Sequence, residues 1–345
     1  MFICQFTDVF STGIWADFND IENPHLKELS KRIPSLMVQS RQEGTVKNYL
    51  FGFNRWKKWA SKYPEIDSFP AKPKYVAIFL SDILFVSKSH APVSNAFYSL
   101  SWAHKMAGVT DPTDNEVVKR VKESAHRILG SGGNKKNPVT PDILFALYDF
   151  YGTQSATLKD LRIMSICLLS YSGFLRFDEY SNLLFSDLVF HDEYITLFIE
   201  KSKTDVYRDG RQVFISKTDS KCCTVNMLQI YVEAANFDKE SNDFLFKGLT
   251  YHSKTKSYTL RKQRKGISYT TAREIILKAF SSVGLNVKEF GTHSMRKGGA
   301  TSAAKNHVLD RLILKHGRWE SEKSKNMYIT EEIAEKLSVS KSLGI

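Results

Sequence analysis

The chain has 345 residues and a formal net charge of +12, with 49 Lys and Arg set against 37 Asp and Glu. A hydrophobic fraction of 42% with 12% aromatics excludes a disordered chain and leaves room for two ordinary domains, each with its own core. The basic surplus favours polyanions, nucleic acid first, although many basic proteins bind none. Four cysteines, Cys4, Cys167, Cys222 and Cys223, form neither a disulfide framework nor a metal-ligand spacing, which suits a reducing, intracellular setting. The opening MFICQFTDVF lacks the basic start of a signal peptide. The most apolar run, Ile163 to Leu169, is far too short to span a bilayer, so no membrane partner is expected.

Residues 1–24 show no readable pattern and stand as an unassigned lead-in. From Thr45 the periodicity turns helical, with Tyr49, Phe53, Trp56 and Trp59 along one face, the spacing a buried stripe requires. Tyr75 to Val86 and Val93 to Met106 read as two more helices. A fourth opens at Thr113 and Glu116, a capping-box pair, with Val117, Val121, Ala125 and Ile128 along one face. A helical N-terminal domain is expected over residues 25–129. Residues 130–140, GSGGNKKNPVT, read as a flexible basic linker that includes Lys135 and Lys136.

Thr140 and Pro141 then look like the N-cap and first residue of a new helix, opening a second domain over residues 141–330. Leu158 to Ser172 reads as a long helix leading into GFLRFDEYSNLL. Tyr194 to Glu200 and Arg211 to Ile215 read as strands with Asp209 and Gly210 as turn material, and Thr224 to Ala235 as a helix. KTKSYTLRKQRK holds six basic residues, Lys254, Lys256, Arg261, Lys262, Arg264 and Lys265, and no acidic one. It suits DNA-backbone contact and an exposed loop about equally well, and RKQRK also fits a nuclear-import patch. Thr271 and Glu274 repeat the capping-box pattern before another apolar stripe. Residues 331–345 form a tail in which Ile333, Ala334 and Leu337 line one helical face. The fold class expected is mainly α with a small β-hairpin or sheet.

The chemistry concentrates between Gly291 and Thr330. His293 and Arg296 lie one helical turn apart, Trp319 follows Arg296 by 23 residues after a glycine and an arginine, and Tyr328 follows by nine more. A guanidinium fork beside an imidazole suits phosphate oxygens, and a Tyr hydroxyl brought to the same oxygens can attack phosphorus. Each residue alone has a plain reading: His293 a structural imidazole, Trp319 a core residue, Tyr328 one of 15 tyrosines. Their order and spacing resemble the C-terminal signature of the tyrosine recombinases, the phage-integrase family. The segment HGRWESEKSKNMYI is similar to recombinase-like proteins of animal genomes and mobile elements.

The resemblance implies a helical core-binding domain followed by a catalytic domain, and a linker that lets the two clamp a duplex. It implies a site-specific recombinase or integrase that cuts one strand, stores the bond as a 3′-phosphotyrosine and reseals it without metal, ATP or other cofactor. By match to the family pattern, Tyr328 would be the nucleophile, and Arg176 and Arg296 the phosphate clamps. His293 would be a base or donor beside the tyrosine, Trp319 a phosphate donor, and Lys203 the hairpin lysine acting as general acid. Glu179 would orient Arg176 or another site cation from behind. Lys203 lies near Lys201 and Lys217, so a solvated charge is the rival reading there. His316, three residues before Trp319, fits the spacing less well. The implied partners are double-stranded DNA and further copies of the chain, a tetramer on synapsed duplexes, with the tail passed to a neighbour or folded back. Intracellular, DNA-associated placement follows, nuclear in a eukaryote. The alternatives are a type IB topoisomerase-like strand relaxer and a domesticated DNA-binding protein that has lost catalysis.

Overall fold

The computed structural model describes residues 7–130, 135–200, 210–238, 241–331 and 333–343. The chain divides into two units, Met1–Asn134 and Lys135–Ile345.

The first unit is all-helical among its described residues: α1 (Ile14–Asp17), α2 (Pro24–Ser30), α3 (Ile33–Gln39), α4 (Glu43–Ala60), α5 (Pro73–Val86), α6 (Ala91–Ala107) and α7 (Glu116–Leu129). The aromatic stripe of α4 forms the core as its spacing predicts, with Phe53, Trp56 and Trp59 buried. Each of the two indoles finds an acceptor, Trp56 Nε1 donating to the Ser68 carbonyl (2.7 Å) and Trp59 Nε1 to Asp82 (2.9 Å). At Gly52 a Cβ would meet Ser99 Oγ at 2.2 Å, so glycine permits the close approach of α4 to α6.

Two sequence readings are corrected here. Part of the unassigned lead-in belongs to this core: Val9 is fully buried, and Trp15 is buried with its Nε1 donating to the Met106 carbonyl (2.9 Å). A three-residue turn and a four-residue helix are too short to show periodicity. Thr113 does not cap α7, because Asp111 holds its backbone N–H and its hydroxyl (2.9 and 2.7 Å). Asn115 caps instead, accepting from the Val117 N–H at 3.0 Å. The buried face of α7 carries Val118 and Ala125, with Val121 packed against it, while Val117 and Ile128 are exposed.

The second unit contains α8 (Pro141–Tyr151), α9 (Leu158–Ser172), α10 (Phe177–Asn182), α11 (Thr224–Ala235), α12 (Tyr269–Ser282), α13 (Ser294–Lys305), α14 (Asp310–His316), α15 (Glu322–Asn326) and α16 (Ile333–Lys341). Thr140 caps α8, accepting from the Ile143 N–H. α9 is the central post, buried on nearly every side and packed by α8, α11, α12 and α13. A three-stranded antiparallel sheet joins β1 (Leu188–Phe190), β2 (Tyr194–Ile199) and β3 (Arg211–Ser216). Ile195 faces Ile215 and Leu197 faces Val213, so the inward residues of β2 and β3 pair on the core side.

β1 escaped the sequence reading because three residues carry too little alternation. The basic run is part of a second hairpin, β4 (Leu249–His252) with β5 (Ser257–Leu260). Ser268, not Thr271, caps α12: its Oγ accepts from the Thr271 N–H at 3.2 Å. Mainly helical with two small sheets among the described residues, the architecture is of the class read from the sequence.

Candidate active site

The site is built where the end of α9 meets the turn after α14. α9 stops at Gly173, and Phe174 follows with φ +47°, a left-handed conformation that a bulky side chain adopts at a cost. Arg318, on the opposing turn, is also left-handed at φ +56°. Such residues persist where their surroundings over-determine them. The Phe174 ring packs edge-on against His316 (4.6 Å between centroids) and tilted against Trp319 (6.1 Å). Its carbonyl accepts from both Arg296 Nη1 and Arg318 Nη2.

Three guanidiniums converge on Glu179, which is 3% exposed. Arg176 N-caps α10, and both its backbone N–H and its Nη1 donate to the Glu179 carboxylate at 2.8 Å. Arg318 Nη2 donates to the same carboxylate at 2.8 Å, and Arg296 Nη1 lies 3.9 Å from it. Burial acts to raise the Glu179 pKa, but the charges of Arg318, Arg296 and Arg176 outweigh it and hold the carboxyl below its ordinary value. Arg318 is fixed further by the carbonyls of His316 (2.7 Å) and Gly173 (3.2 Å). Burial lowers its pKa against the opposing pull of Glu179.

Arg296, on the first turn of α13, is fully buried, and its Nη2 donates to the Gly317 carbonyl. Its guanidinium lies 4.4 Å from the Trp319 ring centroid and 5.1 Å from that of Tyr328. Burial, aided by the Arg176 charge and opposed by Glu179, pushes its pKa down to about 9, so it remains a cation at neutral pH. Trp319 is 2% exposed, and its Nε1 has no hydrogen-bond partner among the described residues. Gly317 is required for this packing, because a Cβ there would fall 1.9 Å from the Trp319 ring.

Tyr328 follows α15 and is half-buried. Its ring centroid lies 5.3 Å from that of Trp319 and 6.1 Å from that of His293, the exposed residue at the start of α13. The Thr301 hydroxyl donates to the Tyr328 carbonyl (3.2 Å) and accepts from the Thr330 N–H (3.1 Å), gripping the chain on both sides of Ile329. Lys325, buried, pairs with Asp310 at 2.5 Å and ties α15 to α14.

The structure thus brings together Arg176, Glu179, His293, Arg296, Trp319 and Tyr328, which span more than 150 residues of sequence. Lys203 lies outside the described residues. His316 sits nearby, but its Nε2 donates to the Ser172 carbonyl (2.7 Å) and burial lowers its pKa, so it braces the end of α9. Lys254, Lys256, Arg261, Lys262, Arg264 and Lys265 are exposed on and after the β4–β5 hairpin, as are Lys135 and Lys136 ahead of α8. Arg318 is the residue the sequence reading passed over. It was visible only as the arginine between Gly317 and Trp319, and no periodicity distinguishes it.

The family described as the phage integrase family matches residues 139–335. An integrase/recombinase XerD homolog of Selenomonas ruminantium is 24% identical over 338 residues, covering 96% of this chain and 95% of the relative. Among solved structures, the XerH site-specific recombinase in a post-cleavage complex with a palindromic difH substrate aligns with a TM-score of 0.59 at 15% identity. That alignment covers 86% of this chain and 79% of the other. A lambda integrase dimer bound to a COC′ core site aligns with a TM-score of 0.55 at 16% identity, covering 88% and 79%.

Proposed function

Because this chain belongs to the phage integrase family, whose tyrosine recombinases cut and rejoin DNA through a phosphotyrosine, we propose that Tyr328 is its nucleophile and that the surrounding cluster is its phosphate site. The observation that carries this reading is the gathering of Tyr328, Trp319 and Arg296 within 4.4–5.3 Å of one another, with His293 beside the tyrosine.

In the proposed step the Tyr328 oxygen attacks a backbone phosphorus and the bond to the 5′-oxygen breaks. A 3′-phosphotyrosyl link and a free 5′-hydroxyl result. His293 accepts or relays the tyrosine proton, and Lys203 supplies the proton that the leaving oxygen needs. Arg176 and the Trp319 N–H are the donors for the non-bridging oxygens. Arg296 has two of its nitrogens committed to the Phe174 and Gly317 carbonyls. It therefore acts first as a fixed charge behind the two rings, and contact with phosphate requires exchange of a carbonyl for a phosphate oxygen. Reversal onto a 5′-hydroxyl of another duplex completes recombination with no energy source, because the bonds broken and made are alike. Double-stranded DNA is the substrate and a tetramer the working assembly, with the tail beyond Thr330 exchanged between copies. Residues 25–129 and the basic stretches around Lys135, Lys136 and Lys254–Lys265 supply further backbone contacts.

Covalent capture tests the reading. The protein is incubated with a randomised library of nicked duplexes, denatured in detergent, and assayed for attached DNA. An adduct that disappears in Tyr328→Phe is the expected result. Salt-sensitive binding with no adduct from the wild-type chain would overturn the catalytic assignment and leave a DNA-binding protein.

A further inference from the structure

A cavity of about 420 Å³ opens in the second unit between α9, the β4–β5 hairpin and the start of α12. Lys159, Arg162, Arg261 and Lys265 line it together with Tyr258 and Ser268, and none of its lining residues is acidic. It shares no lining residue with the Tyr328 cluster.

Arg162 sets this cavity apart. It is 6% exposed, its Nη1 donates to the Lys247 carbonyl at 2.6 Å, and its Nε has no partner. Among the described residues no carboxylate pairs with it. Lys247, whose carbonyl receives Arg162, has its own carboxylate partner in Asp243. The other two deeply buried arginines among the described residues, Arg296 and Arg318, share Glu179, whereas Arg162 has a second guanidinium, Arg261, as its charged neighbour. A buried cation without a counter-ion is costly unless an anion completes the site. The 14-residue helix α12, capped by Ser268, begins at the same cavity and adds the positive end of its dipole.

We propose that this cavity binds a phosphate group, seated against the Arg162 guanidinium and the N-terminus of α12 and enclosed by Lys159, Arg261 and Lys265. The ligand chemistry is a phosphate oxyanion, which either a DNA backbone phosphodiester or a free phosphate compound supplies. The backbone source rests on the DNA reading above. It gives the basic hairpin a specific function, with Arg261 and Lys265 closing over a phosphate that α9 receives from below.

Two measurements on the full chain test the site and separate its sources. In the first, melting is followed with inorganic pyrophosphate against chloride at equal ionic strength, for the wild type, for Arg162→Gln and for the double variant Lys159→Gln/Arg261→Gln. The double variant, at one half-buried and one exposed position, keeps the test decisive if Arg162→Gln fails to fold. Pyrophosphate is expected to raise the wild-type melting point above the chloride control and to lose that effect in the variants. In the second, duplex affinity is measured against salt concentration, and the log–log slope of the double variant is expected to be shallower by about 1 per lost phosphate contact. A changed slope without a pyrophosphate effect supports a backbone phosphate alone. A pyrophosphate effect with an unchanged slope supports a free phosphate compound. If neither changes while wild-type protein still binds duplex and forms the Tyr328 adduct, the cavity proposal falls and the recombinase reading stands. If wild-type protein binds no duplex, the DNA reading falls and the pyrophosphate arm decides the cavity by itself.

Discussion

Trp319 presents a donor with nothing to receive it. Its Nε1 is buried and unpartnered among the described residues while its ring packs against Arg296, Tyr328 and Phe174. Trp319→Phe keeps most of that packing and removes only the N–H. The folded protein should therefore lose little stability by thermal melting, while adduct formation slows by about a hundredfold if the donor serves a phosphate oxygen. Equal adduct rates would remove the donor role. Glu179 makes the opposite case, being fully engaged. Its folded pKa lies below the ordinary value near 4.5, so its ionic contribution is complete above that value and is lost as pH falls through the folded pKa. Glu179→Gln should flatten the fall in stability on acidification below about pH 4.5, and lower stability at pH 7, as read by denaturant midpoints at each pH. Arg318→Ala leaves Glu179 and the Phe174 carbonyl short of a buried partner and is expected to cost about 3–5 kcal/mol. These two residues differ in how far sequence alone exposed them. Glu179 stands three residues after Arg176, where the family pattern carries an acidic residue, but Arg318 acquires its role from a carboxylate 139 positions away, and no local pattern encodes such a pairing.

At the level of elements, the boundaries read most accurately were those set by strong local chemistry. α9 and α11 begin and end where their apolar patterns place them, and Thr140 with Pro141 opens α8. The two capping-box readings failed for one reason. A Thr and a Glu three apart signal a helix start only when the Thr is free to cap, and Asp111 had already taken Thr113, while Ser268 started α12 a turn before Thr271. The segment carrying the nucleophile depends on contacts that no motif announces. Thr301 on α13 holds the backbone at Tyr328 and at Thr330 through one hydroxyl. Thr301→Val keeps the volume and removes that grip. It should cost about 1 kcal/mol of stability and reduce the adduct rate while leaving duplex affinity near the wild-type value, a split measured by single-turnover capture beside a binding titration.

Among the described residues of the whole molecule, each unit has its own large hydrophobic core, the second adding a small cluster of Phe174, Ala300, Ile313 and Trp319. Four of the five tryptophans, Trp15, Trp56, Trp59 and Trp102, lie in the first unit. Chemical denaturation followed by tryptophan fluorescence should therefore report chiefly on the first unit, and far-UV circular dichroism on both. Arg318→Ala is expected to move the circular-dichroism transition and leave the main fluorescence transition in place; coincident shifts would show that the units unfold together. The +12 charge predicts steeply salt-dependent duplex binding, and this was already legible in composition. The order His293, Arg296, Trp319, Tyr328 was legible as a motif. What composition and motif left hidden was the pocket around Arg162, whose parts come from a helix and a hairpin about a hundred residues apart.

The left-handed Phe174 and Arg318 also bear on heredity. Both hold an unfavourable backbone conformation, and one hydrogen bond joins them, the backbone carbonyl of Phe174 receiving the guanidinium of Arg318. A change at Arg318 removes a partner of that carbonyl, whereas a change of the Phe174 side chain leaves the carbonyl in place, so the dependence runs one way. In a lineage carrying this pair the order of substitution therefore matters: loss of Arg318 is expected to ease the demand on the backbone at 174, while a change at 174 leaves the demand on 318 in place.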